Sequence, residues 1–236
     1  MSTARTLSGL PNIDAGTHPE EIFRIGRDIS GGPLTMACSF SIEDVALLDL
    51  LSKYSAEFTI FAIDTGRLGE ETYEIADKVA QRYDIRIEWY FPVKEAVEKL
   101  TREKGLFSFR SSLNNRKECC NVRKLEPLRR AIRGTSGWIT GLRREQSVTR
   151  SNQQPLEIDH VNGGLLKINP LTYWTETQLW AYTREHQLPV NTLYHNGYTS
   201  IGCAPCTRAT QADEDVRAGR WWWEDPEHRE CGLHRK

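Results

Sequence analysis

The sequence predicts an α/β fold, in which one domain holds a mostly parallel twisted sheet with helices on both faces. Short runs rich in β-branched and aromatic residues alternate with segments whose apolar residues recur at helical spacing. The chain has 236 residues, enough to bury a substantial core, and it contains no internal repeat or Pro/Ser-rich linker. Strand–helix alternation of this kind is typical of parallel sheets covered on both faces.

The strands and helices can be placed in chain order. Strands are predicted at residues 34–40, 58–64, 85–91, 138–142 and 165–168. The first helix is predicted after Ser41, where Val45, Leu48 and Leu51 recur at helical spacing. Ser41 followed by Asp44 is typical of an N-cap with an acidic third residue. Further helices are predicted at residues 70–83, 93–104, 124–133 and 175–187.

Composition narrows the classes of function. The net charge of -1 gives no argument for binding to nucleic acid or to an anionic membrane. No apolar run approaches the roughly 20 residues that span a bilayer, and the first residues lack the features of a secretory signal. We therefore expect a cytoplasmic protein that binds neither nucleic acid nor membrane, while a homo-oligomer stays open. We also expect a main domain at residues 1–215 and a mobile C-terminal tail at residues 216–236.

Two segments follow predicted strands at the sheet edge where ligands bind in open α/β folds. Residues 39–44 join the first strand to the first helix, and residues 64–67 follow the second strand. The first segment could present backbone N–H groups to a nucleotide phosphate at a helix N-terminus. It lacks the G-x-x-x-x-G-K-[ST] pattern of a Walker loop, so an ordinary capped connection is the simpler reading of this segment alone.

Four of the six cysteines form two close pairs, Cys119-Cys120 and Cys203-x-x-Cys206. In a reducing cytosol such pairs indicate a metal site or catalysis more often than disulfides. Adjacent residues can reach one ligand only in a turn or at a helix end, and their spacing does not match structural zinc sites. The pattern favours an iron–sulfur cluster, while zinc and a redox pair stay open. Cys38 is predicted to be a buried small hydrophobe.

Cys231 stands apart in a cationic segment near the end of the sequence. His228, Arg229 and His234 could stabilise its thiolate, the reactive form, although a lone cysteine in such a place is often incidental. The preceding run of three tryptophans at residues 221–223 is predicted to pack the base of the tail.

Arginines form a third group with anion-binding character. Arg143 and Arg144 follow Gly141 at a predicted strand end and are expected to project at the ligand edge of the sheet. Arginine forks match phosphate and sulfate oxygens, although each of these arginines could also be an ordinary surface residue. Others with this character are Arg150, Arg217 and Arg220.

Assembled, these segments resemble the assimilatory adenylyl-sulfate (APS) reductases, relatives of the PAPS reductases. The resemblance extends from about residue 35 to residue 234. Its motifs are SFS-x-ED at 39–44, IDTGRL at 63–68, KGLFSF at 104–109, ECC-x-x-RK-x-EPLRRA at 118–131, TG-x-RR-x-QS at 140–147, YTSIGCAPCTR at 198–208, GRWWWE at 219–224 and ECGLH at 230–234. The combination of CC, C-x-x-C and the final ECGLH is highly specific.

The resemblance implies a fold similar to that of the PP-loop adenylating enzymes and the reduction of APS to sulfite and AMP. It implies that Cys231 is the nucleophile and that a thioredoxin- or glutaredoxin-type reductant releases sulfite from it. The implied ligands of a [4Fe–4S] cluster are Cys119, Cys120, Cys203 and Cys206. The implied substrate-binding residues are Ser39, Ser41, Ile63, Gly141, Lys124, Arg150, Arg217, Arg220 and His234.

Three alternatives stay open. The same reaction could act on PAPS, which carries an additional ribose phosphate. A PP-loop tRNA sulfurtransferase could use Cys231 for a persulfide, but the S-G-G-x-D-S loop is missing and the overall charge is near neutral. A zinc-stapled nucleotide-binding module without catalytic activity would explain the cysteine pairs alone.

Overall fold

A six-stranded sheet forms the centre of the structure, a computed structural model that describes residues 9–229 and residue 232. The strands are β1 (Leu34–Ala37), β2 (Phe58–Ile63), β3 (Ile87–Tyr90), β4 (Gly137–Ile139), β5 (Leu156–Asp159) and β6 (Leu165–Ile168). Their spatial order is β3-β2-β1-β4-β6-β5, and every pair is parallel except β5 with β6. Two predicted site residues, Cys231 and His234, lie outside the described residues.

Helices occupy both faces of this sheet. They are α1 (Pro19–Ser30), α2 (Ile42–Leu51), α3 (Glu70–Tyr83), α4 (Lys94–Lys104), α5 (Leu113–Cys120), α6 (Glu126–Ala131) and α7 (Glu176–Glu185). The helix α1 begins at Pro19, whose fixed φ suits the first helical turn, and it is terminated after Ser30 by Gly31 in the left-handed conformation. Within the described residues, no helix is long and apolar enough to cross a membrane.

Alternating strand side chains divide the core between the two faces. On β2, Ile60 packs into the larger core with residues of α1, α2, α3 and α7, whereas the next residue, Phe61, packs on the opposite face. On β4, Ile139 and Trp138 alternate in the same way, and Trp138 contacts the smaller core that contains Leu128 of α6. Burial on both faces explains why these strands read as nearly continuous apolar runs.

The strand order reverses at β1. The chain proceeds from β1 outward to β2 and β3, then returns to place β4 on the other side of β1. A crevice forms beyond the carboxyl ends of strands at such a point, because the connections on either side lead away in opposite directions. The turn after β1 and the residues after β4 therefore face each other across it.

The predicted α/β fold is confirmed, and its five predicted strands are all present; β6 has the predicted bounds, and the other four are shorter than predicted. The first strand ends at Ala37 rather than at residue 40, because Phe40 has a φ of 59° and leaves the extended conformation. The predicted helix at 124–133 is instead a π-helical turn, Asn121–Leu125, followed by α6. The sequence analysis did not predict α1, α5 or the antiparallel edge strand β5.

Candidate active site

A cavity of about 210 Å³ lies in the crevice beyond β1, β2 and β4; we call it the sheet-edge cavity. The residues that follow these strands line it, and cationic side chains line another part of its wall. The structure therefore brings together every predicted substrate-binding residue that it describes; these are Ser39, Ser41, Ile63, Gly141, Lys124, Arg150, Arg217 and Arg220. Their contacts with a substrate remain a prediction.

The turn after β1 is held by a buried carboxylate. Asp44 Oδ2 accepts hydrogen bonds from the backbone N–H and the hydroxyl of Ser39, both at 2.6 Å. Burial raises the pKa of Asp44 to about 6, although the Ser39 donors favour the charged form. A Cβ at Gly141 would overlap Asp44 Oδ1, so this close approach of β4 and α2 requires glycine.

The loop after β2 connects this cavity with the cysteines. Asp64 Oδ1 accepts from the N–H of Gly66 at 2.7 Å, which closes a tight turn. The carbonyl of Thr65 accepts a hydrogen bond from Arg123 Nη1 at 2.6 Å, and the hydroxyl of Thr65 lies 3.2 Å from Cys203 Sγ. The loop thus touches both segments that carry paired cysteines.

A second, smaller cavity is lined by all four paired cysteines; we call it the cysteine cavity. Cys119 and Cys120 are the last residues of α5, where the chain passes directly into the π-helical turn Asn121–Leu125, so the pair lies at this junction rather than at the turn or helix end that its spacing predicted. The cationic residues that line the same cavity are Arg67, Arg116, Arg123, Lys124 and Arg220. Two of them, Lys124 and Arg220, also line the sheet-edge cavity.

Burial raises the pKa values of the cysteine thiols, whereas nearby cations lower them. Burial disfavours the thiolate of Cys203, but Lys124 and the Thr65 hydroxyl outweigh it and lower the pKa of Cys203. Burial dominates at Cys119, whose pKa it raises, and at Cys206, where it raises the pKa to about 12. Across residues 9–229 and 232, no three His, Cys, Asp or Glu side chains converge in a way that could hold a metal ion.

Comparisons with known proteins identify the family. Residues 33–209 match the family described as the phosphoadenosine phosphosulfate reductase domain. The chain belongs to this family. The adenosine 5'-phosphosulfate reductase of Allochromatium vinosum is 50% identical over 203 residues, which cover 86% of this chain and 79% of that protein. The adenosine 5'-phosphosulfate reductase of Burkholderia cepacia is 46% identical over 234 residues, which cover 99% of this chain and 93% of that protein.

Solved structures agree with membership of the phosphoadenosine phosphosulfate reductase family. The crystal structure of the PAPS reductase from Candida auris, in a phosphate complex, matches with a TM-score of 0.69 and 28% identity. It covers 82% of this chain and 91% of that chain. The FMN adenylyltransferase of Candida glabrata in complex with ATP matches with a TM-score of 0.52 and 13% identity, over 93% and 78% of the two chains. That second likeness shows the fold alone.

Two arginines of this family member do not lie where the sequence analysis expected them. Arg143 does not project at the ligand edge; it is buried, and its Nη2 lies 3.0 Å from Oε1 of the buried Glu43. Arg144 turns away as well, because it donates to the carbonyl of Gln153 at 2.7 Å and stacks over Tyr173. The expectation was wrong because a carboxylate buried on α2 needs a cation, and Arg143 supplies it.

The three tryptophans differ in their surroundings. Trp221 is buried, and the guanidinium carbons of Arg116 and Arg220 lie 4.7 Å and 4.8 Å from its ring centroid. Trp223 packs on Phe109, and Trp222 is the most exposed of the three. Trp221 and Trp223 therefore pack the segment onto the body of this reductase-family fold.

Sequence reasoning missed several residues that build the site. Thr65 and Arg67 lie in the IDTGRL motif, whose place after a strand could have identified them. Glu224 was missed because its partner, Arg116, is 108 positions away and no local pattern connects them. Cys38 is buried, as predicted, and it lines the sheet-edge cavity.

Proposed function

We propose that the chain reduces APS to sulfite and AMP, with electrons from a thioredoxin- or glutaredoxin-type dithiol. The observation that carries this proposal is that Lys124 and Arg220 line both the sheet-edge cavity and the cysteine cavity. Two cations shared by the cavities support a sulfate group lying next to the cysteines, with the nucleotide extending towards the strand ends. The names of the relatives at 46% and 50% identity support APS as the substrate.

We propose a [4Fe–4S] cluster as the cofactor of Cys119, Cys120, Cys203 and Cys206, because all four line one cavity. Three buried N–H donors of residues that line this cavity have no hydrogen-bond acceptor among the described residues: Arg123 Nε, Arg220 Nε and Trp221 Nε1. N–H donors directed at thiolate and sulfide sulfur stabilise a negatively charged cluster, so this donor set fits the group. When bound, the cluster would supply an anionic, redox-capable centre beside Lys124.

The chemistry is assigned to Cys231. Its thiolate attacks the sulfur of APS, so that a sulfur–sulfur bond forms while the sulfur–oxygen bond to AMP breaks. A reductant thiolate then attacks Cys231 Sγ and releases sulfite with the bonding electron pair, leaving a mixed disulfide. The second reductant thiol resolves that disulfide and restores Cys231, so the dithiol supplies both electrons.

Repulsion between anions is the main barrier that the site must overcome. Lys124, Arg150, Arg217 and Arg220, together with His234, are proposed to neutralise the sulfate and phosphate oxygens. Lys124 and Arg220 also line the cysteine cavity, and Arg220 is buried, where charges interact more strongly than in bulk water. The groups proposed to line the nucleotide end are Ser39, Ser41, Ile63 and Gly141.

The proposal retains the division into a reductase domain at residues 1–215 and a tail at residues 216–236 that carries the nucleophile. It also places the reaction in the cytoplasm. The cysteines of the described part of the chain are free thiols, which suits a reducing compartment.

Sulfite release tests the function directly. Anaerobically purified protein is supplied with APS and reduced thioredoxin, and a parallel reaction contains PAPS. We expect turnover of APS and none with Cys231→Ser, whose iron content should equal that of the wild type. Sulfite release by Cys231→Ser would refute the assigned nucleophile, and no sulfite from either nucleotide would refute the function.

Reduction of PAPS is the second candidate. It is favoured by the likeness to the PAPS reductase from Candida auris, which is the more similar of the two solved structures described above. Two carboxylates, Glu43 and Asp44, line the sheet-edge cavity and disfavour an additional phosphate near them. Parallel kinetics with the two nucleotides decide between them.

A further inference from the structure

A buried ion pair joins the cysteine-bearing helix to the C-terminal segment. Arg116 on α5 contacts Glu224 through two nitrogens, with Nη2–Oε2 at 2.7 Å and Nε–Oε1 at 3.0 Å. The two side chains are only 1% and 8% exposed. A pair this deeply buried is costly to break from one side, because the remaining partner becomes an uncompensated charge.

The guanidinium of Arg116 has further partners in the same segment. Its Nη2 donates to the carbonyl of His228 at 2.5 Å, and its central carbon lies 4.7 Å from the ring centroid of Trp221. Arg116 also lines the cysteine cavity together with Cys120. One side chain therefore links a cysteine of the cysteine cavity with three points between residues 221 and 228.

Hydrogen bonds also fix the C-terminal segment, residues 217–229, as far as Arg229. Arg229 Nε donates to the carbonyl of Glu224 at 3.0 Å, and Arg217 Nη2 donates to the carbonyl of Arg229 at 3.1 Å. Arg229 precedes Cys231 by two positions in the sequence. The described contacts thus fix the point from which the chain reaches the proposed nucleophile.

Neither member of the ion pair is placed to bind the substrate. Arg116 and Glu224 are absent from the lining of the sheet-edge cavity, and of the two only Arg116 lines the cysteine cavity. The proposed reaction leaves this pair without a chemical role. Its burial and its set of partners indicate a role in positioning.

We propose that Arg116 and Glu224 are positioning residues that couple the cysteine site to the segment preceding Cys231. A cluster bound at Cys120 would fix the end of α5, the helix that carries Arg116 four positions earlier. Loading of the cysteine site therefore stabilises the placement of residues 217–229. This inference rests on the proposed function, because it gives the cluster a role in presenting the nucleophile.

The test measures how firmly residues 217–229 are held, and it does not depend on turnover. Hydrogen exchange of peptides covering residues 217–229 and the alkylation rate of Cys231 by iodoacetamide are compared for wild type, Glu224→Gln and Lys104→Gln. Lys104 pairs with Glu118 of the same helix α5, but on the surface, with 39% and 42% of the side chains exposed. We expect Glu224→Gln to accelerate exchange and alkylation by about tenfold or more, and Lys104→Gln to change them by less than about twofold.

Equal rates in Glu224→Gln and wild type, at equal iron content, would overturn the proposal. Should Glu224→Gln fail to fold or to load iron, the double variant Arg116→Met/Glu224→Met removes both charges and leaves none uncompensated. The same acceleration is expected in this variant once it is folded, and wild-type rates in it would equally refute the coupling.

Removal of iron from the wild type tests the connection to the cysteine site. Residues 217–229 should lose protection, while α1, which packs into the larger core and lines neither cavity, should keep it. Unchanged exchange of residues 217–229 after iron removal would contradict the coupling. A wild type that releases no sulfite would refute the proposed function and still leave the exchange comparison valid, so the two failures are distinguishable.

Discussion

The hydroxyl of Thr65 lies 3.2 Å from the sulfur of Cys203, so the loop after β2 touches a proposed cluster ligand directly. The same loop accepts a hydrogen bond from Arg123 through the carbonyl of Thr65, and the carbonyl of Arg67 accepts the N–H of Ala204 at 2.8 Å. Thr65 also lines the sheet-edge cavity. This loop is therefore a shared wall between the two cavities, and changes in it should affect both.

Thr65→Val should weaken the cysteine site. Valine keeps the shape of threonine but cannot donate to Cys203, whose lowered pKa depends in part on that hydroxyl. Removing a hydrogen bond to a metal ligand commonly costs about tenfold in metal affinity or activity. We expect faster loss of iron to a chelator, followed by the decay of visible absorption.

Thr183→Val is the matched control for this measurement. The Thr183 hydroxyl is also buried, but it donates to the carbonyl of Leu179 within α7 at 2.8 Å. Iron loss from this variant should equal that of the wild type. Equal rates for all three proteins would show that the Thr65 hydroxyl does not support the site.

The paired cysteines and Cys38 should differ in their effect on iron content. Cys206→Ser removes a proposed thiolate ligand from the cysteine cavity and should abolish the visible absorption of anaerobically purified protein. Cys38→Ala alters a cysteine that is buried but lines only the sheet-edge cavity, so iron should be retained. Iron content measured by a colorimetric assay distinguishes the two. Full iron in Cys206→Ser would refute the four-cysteine assignment.

Local patterns predicted much of this molecule, and their failures have a common cause. Apolar runs located β2 and β6 because buried strands need no partner to be recognised, and α3 begins and ends at its predicted residues. The edge strand β5 was missed because Glu157 and Asp159 interrupt its apolar pattern. Glu157 is buried, and Lys167 of β6 pairs with it at 3.0 Å. The pattern of residues along one strand does not reveal an ion pair with a residue of another strand.

The same limit applies to the candidate site. The cysteine pairs could be recognised because their ligands are adjacent or close in sequence. The expected direction of Arg143 was wrong because Glu43, its partner, lies 100 positions away. Charge complementarity between distant segments decides which arginines remain available for an anion, and only the fold reveals it.

Glu43→Gln should destabilise the protein strongly. The change leaves the buried Arg143 without its carboxylate, and breaking a buried pair from one side costs about 3–5 kcal/mol. Urea unfolding of the wild type and the variant measures the loss in the free energy of unfolding.

Glu126→Gln provides the comparison for that prediction. Glu126 pairs with Arg130 on the surface of α6 at 2.8 Å, where each side chain is about one-third exposed. An exposed pair contributes about 0–1 kcal/mol, so the free energy of unfolding should change little. Similar losses in both variants would contradict the structural role assigned to the Glu43–Arg143 pair.

Asp44 should make stability depend on pH in a direction opposite to that of most carboxylates. Burial raises the pKa of Asp44 from 3.8 to about 6, so the folded protein binds this proton more tightly than the unfolded chain. The stabilisation from the bound proton is complete below the pKa of the unfolded chain and is lost as pH rises through the folded pKa.

Asp44→Asn removes this titration while keeping an oxygen that can accept from Ser39. Between about pH 5 and about pH 8 the wild type should lose about 1 kcal/mol of unfolding free energy relative to the variant. Urea unfolding at the two pH values measures the difference between the proteins, which cancels the contributions of groups that they share. A difference that stays constant with pH would show that Asp44 is ionised throughout this range, and its hydrogen bonds with Ser39 would then outweigh its burial.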